Sequence, residues 1–115
     1  MKNQQMQSLI KELKKSSIEN KVNIWKRIAT DLEKSTTKRS VVNLSKIDRY
    51  SKQDETIIVP GKVLSMGELN KKITIAAFTF SGEAARKITN AGSKAISIEE
   101  LIKNNPKGNK VRIIG

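Results

Sequence analysis

The stretch from Thr56 to Gly92, TIIVPGKVLSMGELNKKITIAAFTFSGEAARKITNAG, decides the fold. It holds most of the β-branched residues and reads as strand, turn, strand, turn, long strand, helix. Ile57, Ile58 and Val59 form an apolar run expected to stop at Pro60-Gly61, where proline removes a backbone donor and glycine permits a turn. A second strand is expected at Lys62-Val63-Leu64, with a turn near Met66-Gly67. Ile73 to Phe80 is free of charge and of helix breakers, which predicts a strand buried on both faces at the centre of the core.

Ser81 ends that run and is placed to accept a hydrogen bond from a first-turn N–H, with Glu83 against the positive end of the helix dipole. The spacing predicts a helix there. Ala84, Ala85 and Ile88 form its inward face, and Gly92 sits where a left-handed residue closes a helix.

Working outward toward the start, residues 1–8 are polar and expected to be mobile. Met6, Leu9, Ile10 and Leu13 repeat at helical intervals, with a charged face at Lys11, Glu12, Lys14 and Lys15. A break is expected at Ser16-Ser17 or at Asn20. Ser16 and Glu19 have capping-box spacing, and Asn20 is an equal candidate for the N-cap of the next helix. Val22, Trp25, Ile28, Ala29 and Leu32 mark one face of that second helix, so residues 9–34 read as a helical hairpin. Trp25 on this stripe reads as a core anchor, with stacking on an unpaired base as the competing role. Residues 35–55 form a basic connector. It begins with STTKRS, a solvated loop or a phosphate-contacting arm ending in Lys38-Arg39. Val41-Val42 predicts a short strand, and Asn43 a cap for a helical turn with Leu44, Ile47 and Tyr50 on one side. Lys46, Arg49 and Lys52 then follow at three-residue steps, either as a ridge along a nucleic-acid backbone or as a solvated face.

Toward the other end, residues 56–115 complete a strand-rich core. Ala95-Ile96 is a short strand, and Ser97 with Glu100 has capping-box spacing for a helix burying Ile98, Leu101 and Ile102. Asn104-Asn105-Pro106 stops it, PKGNK is a tight basic turn, and Val111 to Ile114 returns as a closing strand. The recurrence of strands and helix from Thr56 onward suggests a weak strand-strand-helix repeat.

Composition narrows the function. The 115 residues suit one modest core. Lysine and arginine number 23 against 11 carboxylates, for a net charge of +12. A small domain ordinarily carries a magnitude of about 2 to 8, so the excess calls for a polyanionic partner. Cysteine and histidine are both absent, which removes thiolate nucleophiles, disulfides, zinc-finger ligand sets and imidazole bases. Gly61-Lys62 fails as a phosphate loop, since Thr56 stands where the first glycine belongs and Val63 where serine or threonine belongs. Aromatics are 3% of the chain, too few for a base-stacking platform, so recognition is expected through phosphates and shape. No apolar leader or spanning run is read, so a cytoplasmic location, no membrane partner, no cofactor and no metal are expected.

The run Val63-Leu64, Gly67-Glu68-Leu69, Lys71, Ile73-Thr74-Ile75, Ala77, Phe80-Ser81, Ala84, Lys87-Ile88 and Ala91-Gly92 resembles the family that contains large-subunit ribosomal proteins fifteen and eighteen-e. Trp25, Leu32-Glu33-Lys34, Val42-Asn43-Leu44, Ile47, Arg49-Tyr50, Glu55-Thr56, Val59-Pro60-Gly61-Lys62-Val63-Leu64, Asn105-Pro106, Gly108 and Val111-Arg112 resemble its archaeal eighteen-e branch. Where members of that branch usually carry Pro-Arg-Arg after Leu-Glu-Lys, this chain has Ser35-Thr36-Thr37, with its basic pair displaced to Lys38-Arg39.

The resemblance implies an α/β fold, an irregular strand-strand-helix superhelical body with an N-terminal helical hairpin, and a non-enzymatic role as a constituent of the large ribosomal subunit. It implies ribosomal RNA and neighbouring ribosomal proteins as partners, with no small-molecule substrate. The residues expected to neutralise phosphates are Lys38, Arg39, Lys46, Arg49, Lys52, Lys62, Lys71, Lys72, Lys107, Lys110 and Arg112. A free-standing RNA- or DNA-binding regulator is the alternative.

Overall fold

The computed structural model describes residues 4–35 and 38–115. The expectations that fall on Met1–Asn3 and on Thr36-Thr37 lie outside them. The elements run α1 (Gln4–Asn20), α2 (Ile24–Leu32), β1 (Ser40–Asn43), α3 (Leu44–Tyr50), β2 (Thr56–Leu64), β3 (Thr74–Phe80), α4 (Gly82–Asn90), β4 (Lys94–Ser97), α5 (Ile98–Asn104) and β5 (Val111–Ile113). The chain is thus mixed α/β with a helical hairpin at its N-terminal side, and the body continues as strand, strand, helix from Thr56.

All five strands are parallel. β2 pairs with β3 on one side, and β3 pairs with β4. The other side of β2 is shared by two short strands. β5 pairs with Thr56 to Ile58, and β1 pairs with Gly61 to Leu64. Each strand-to-strand connection must therefore cross from one end of the sheet to the other. Residues 65–73 make the crossing from β2 to β3 without a helix.

Pro60-Gly61 does not turn the chain, contrary to the sequence expectation. β2 runs straight through it, with a register irregularity against β3 between Val59 and Lys62. The reason lies in the neighbours. Pro60 falls between the segment paired to β5 and the segment paired to β1, where a missing N–H breaks no ladder, and proline in sheets collects at such irregularities. A Cβ on Gly61 would stand 1.9 Å from the Ser40 carbonyl oxygen, so only glycine lets β1 approach here.

Alternate residues of β2 and β3 feed two apolar cores, as a sheet covered on both faces requires. Ile57, Val59, Val63, Ile75 and Ala77 pack with Leu44 and Ile47 of α3 and Ala84 and Ile88 of α4. Ile58 and Ala76 face the other way, onto α1, α2 and α5. Trp25 is fully buried in this second core and its indole N–H donates to the Pro106 carbonyl at 2.6 Å, so it is an anchor and not a stacking platform.

Helix ends follow local chemistry in some places and not in others. Ser81 accepts from the Ala84 N–H and Ser97 from the Glu100 N–H, as their spacing predicts. Gly92 has φ +79, with Ser93 N–H donating to Ile88 and Gly92 N–H to Thr89, the closure expected at that position.

The same closure ends α1, where Lys21 takes φ 54 and Val22 N–H reaches Ser17. Thus α1 runs through Ser16 and Asn20, neither of which caps a following helix, and Asn23 is the first residue outside α2. Residues 4–8 are part of α1, with Met6 buried against the second core. Asn43 stands at the start of α3, but its side chain accepts from Met66 N–H instead of capping the helix. Tyr50 is 54% exposed instead of joining Leu44 and Ile47 inside.

Candidate nucleic-acid interface

A parallel sheet collects every strand start at one end. The pairs Val111↔Thr56, Thr56↔Thr74 and Thr74↔Lys94 align the beginnings of β5, β2, β3 and β4 in one line. At about 4.8 Å between strands, that line is about 15 Å long. Lys110 precedes β5, Lys72 lies two residues before β3, and Lys94 opens β4; all three are exposed.

The turn before β2 adds Lys52. It is held to the rim by Asp54 N–H donating to the Lys72 carbonyl at 2.8 Å and by Lys72 N–H donating to Gln53 Oε1 at 3.2 Å. Lys72 lies across Gly92, where an added Cβ would meet its Cε at 3.4 Å. Four lysines far apart in sequence thus share one edge.

Beside them is an open groove of about 800 Å³, lined by Lys52, Asp54, Glu55, Asn109, Lys110 and Arg112 among others. Within it Arg112 Nε donates to Glu55 Oε1 at 2.9 Å, and the same oxygen accepts from Lys52 N–H at 3.0 Å. Burial raises the Glu55 pKa, but the Lys52 N–H, the Arg112 hydrogen bond and the surrounding positive charge outweigh it and hold the carboxyl below its ordinary value.

The other expected contact residues fall into separate places. Lys38 and Arg39 precede β1, whose Val41 is the register partner of Lys62 on β2. Arg39 is tied back, its Nε donating to the Leu32 carbonyl at 3.1 Å, while Lys38 and Lys62 are exposed. Lys62 shares a register row with Val41 and Thr79, both also exposed.

Lys46 donates to the Gly115 carbonyl at 2.7 Å. Arg49 is exposed on α3, but the helix ends at Tyr50, so Lys52 leaves it and the three do not form one ridge. Lys107 is exposed in the 106–110 turn, which is seated on α2 by the Trp25 bond and by Gly108, where a Cβ would come 2.6 Å from Ile24.

Lys71 differs from all of these. Its ammonium donates to the carbonyls of Asp48 and Ser51, closing the C-terminal end of α3. Lys87 does similar work for the crossing segment, donating to the carbonyls of Ser65 and Gly67 at 3.0 and 3.1 Å.

Lys94 and Glu55 are not among the contact residues expected from the sequence. Lys94 is an isolated charge in the chain and joins the rim only through strand register. Glu55 is an acid in a basic stretch, and nothing local shows that it meets a partner 57 positions away.

Among the described residues, no three metal-ligating side chains come together and no helix is long and apolar enough to cross a membrane. The fold and the rim define a basic α/β module, with its exposed cations carried at the edge of a parallel sheet. The sequence model of the family described as "Ribosomal protein 60S L18 and 50S L18e" matches residues 2–115. Large ribosomal subunit protein eL18 of Methanospirillum hungatei is 49% identical over 112 residues, covering 97% of this chain and 93% of the relative. The proteins of the same name in Halobacterium salinarum and Haloarcula marismortui are each 45% identical. These matches cover 95% and 97% of this chain and 93% and 96% of those relatives. The chain belongs to this family of large-subunit ribosomal proteins, which are structural components and not enzymes.

Proposed function

We propose that this protein is a constituent of the large ribosomal subunit that binds and stabilises folded ribosomal RNA by charge compensation. The observation that carries the reading is the rim, where four parallel strands deliver Lys52, Lys72, Lys94 and Lys110 to one exposed edge. Phosphates of approaching RNA helices repel one another, and each ammonium that neutralises one releases condensed counterions, so binding is favourable and strongly salt-dependent.

Lys38 and Arg39 before β1 and Lys62 on β2 supply the second contact, and Lys107 and Arg49 extend the positive surface away from the rim. Lys46 and Lys71 hold carbonyls of the protein itself and add to the long-range field without each neutralising a phosphate. In this reading residues 9–115 act as one domain in the cytoplasmic ribosome, with neighbouring ribosomal proteins as further partners. The relatives' name supports it, as does the excess of cations over what solubility needs.

The test is sedimentation of the tagged protein in cell extract at physiological ionic strength. The expected result is co-migration with large subunits, lost as salt is raised. A protein found mainly free of subunits would sink the proposal and favour a regulator acting outside the ribosome.

A further inference from the structure

We propose that the groove at the rim seats one backbone phosphate of RNA on the Arg112 guanidinium, and that Glu55 is the positioning residue that aims it. The inference rests on the RNA-binding reading above and names how one part of that surface works.

Three observations carry it. The Glu55 side chain is 17% exposed and the Arg112 side chain 43%, so the carboxylate lies underneath and the cation faces the groove. Among the described residues only Nε of Arg112 is engaged, at 2.9 Å, which fixes the plane of the guanidinium and leaves its terminal N–H groups for a bidentate phosphate. Glu55 is itself held by three hydrogen bonds besides the one to Arg112. Its side chain accepts from Lys52 N–H, its own N–H donates to the Lys52 carbonyl, and its carbonyl accepts from Thr74 N–H at 3.1 Å. Lys52 and Lys110 line the same groove and supply unfixed positive charge around the seat.

The proposal makes a prediction of unusual sign. On charge alone, deleting an acid about 7 Å from a phosphate strengthens RNA binding about twofold at physiological salt. If Glu55 aims Arg112, deletion weakens binding, because a rotamer-rich side chain must then be ordered by the RNA itself, a loss of roughly threefold to tenfold.

The experiment measures affinity for isolated large-subunit ribosomal RNA against salt, for the wild type and for Glu55→Ala and Glu55→Gln. Each substitution is also made in an Arg112→Lys background, which keeps the charge but lacks the planar fork. Expected is the loss with Glu55→Ala, a smaller loss with Glu55→Gln, and no loss from either in the Arg112→Lys background. Unchanged or tighter binding by the single variants, or an equal loss in the lysine background, would overturn the proposal. Thermal melts check folding at the assay temperature. If Glu55→Ala is unfolded there, the near-isosteric Glu55→Gln and its Arg112→Lys partner decide alone. Failure of the wild type to bind the RNA in a salt-dependent way would instead overturn the broader reading.

Discussion

Around the crossing segment 65–73 and along the rim at the strand starts, lysines are used in opposite ways, and Lys72, near the end of the crossing, belongs with the rim. Around the crossing, the ammonium groups of Lys71 and Lys87 turn inward onto four backbone carbonyls, those of Asp48, Ser51, Ser65 and Gly67. At the rim, Lys52, Lys72, Lys94 and Lys110 are exposed. The crossing has no helix of its own, so Lys87 serves its Ser65 and Gly67 carbonyls while Lys71 serves those at the end of α3, and a carbonyl left without a donor costs about 1 to 3 kcal/mol. At the rim the backbone is satisfied by strand pairing and turns, which leaves the side chains available. A net charge of +12 therefore overstates the interface, because part of it is internal structure.

The hardest way to break this comparison is to remove the frame on which both regions hang. Gly61→Val places a side chain where even a Cβ stands 1.9 Å from the Ser40 carbonyl. It is expected to cost about 4 kcal/mol or more, read as loss of the cooperative melt and of RNA binding together. Lys71→Met comes next. It should destabilise by about 1 to 3 kcal/mol in denaturant titration while leaving the salt dependence of RNA affinity unchanged, since its role is to hold carbonyls. A changed slope with unchanged stability would move Lys71 to the interface.

The converse substitution, Lys52, Lys72 and Lys110 together to Gln, should leave stability within about 0.5 kcal/mol. It should lower the slope of log affinity against log salt by roughly 2 to 3 units. An unaltered slope would reduce the rim to a solvated edge. Neutralising Lys38 and Arg39 together should lower the slope by roughly 1 to 2 units, toward the smaller figure if the tie to Leu32 keeps Arg39 from a phosphate.

The smallest effect concerns pH. The Glu55 carboxyl has a lowered pKa in the folded protein, so its contribution to stability is full above the unfolded value and fades as pH falls through the folded one. The melting-temperature difference between wild type and Glu55→Gln should be constant near neutrality and shrink in acid. A gap that widened in acid would contradict the assignment.

Legibility in the sequence followed the range of the interaction. Ser81, Gly92 and Ser97 act within three or four residues of themselves, and their roles are visible in spacing alone. The alternation that sends Ile57 and Ile58 to opposite cores is equally local. Pro60-Gly61 misled because its usual meaning as a turn is also local, while its actual setting is the handover between β5 and β1, which lie on opposite sides of β2 in the sequence. The α1 to α2 break misled because Lys21 adopts a left-handed conformation that glycine more often takes.

What the amino acids determined unaided was the material. They set an apolar α/β core with no imidazole or thiol chemistry, helix starts written in serines, an excess of positive charge, and a family signature spread along the whole chain. What only the tertiary structure decided was the allocation of that charge. Strand register brings Lys52, Lys72, Lys94 and Lys110 to one edge, and loop closure draws Lys71 and Lys87 inward. The physical reason is that a lysine's head group takes its role from whichever oxygen lies within hydrogen-bond reach, and those oxygens belong to residues about 20 or more positions away.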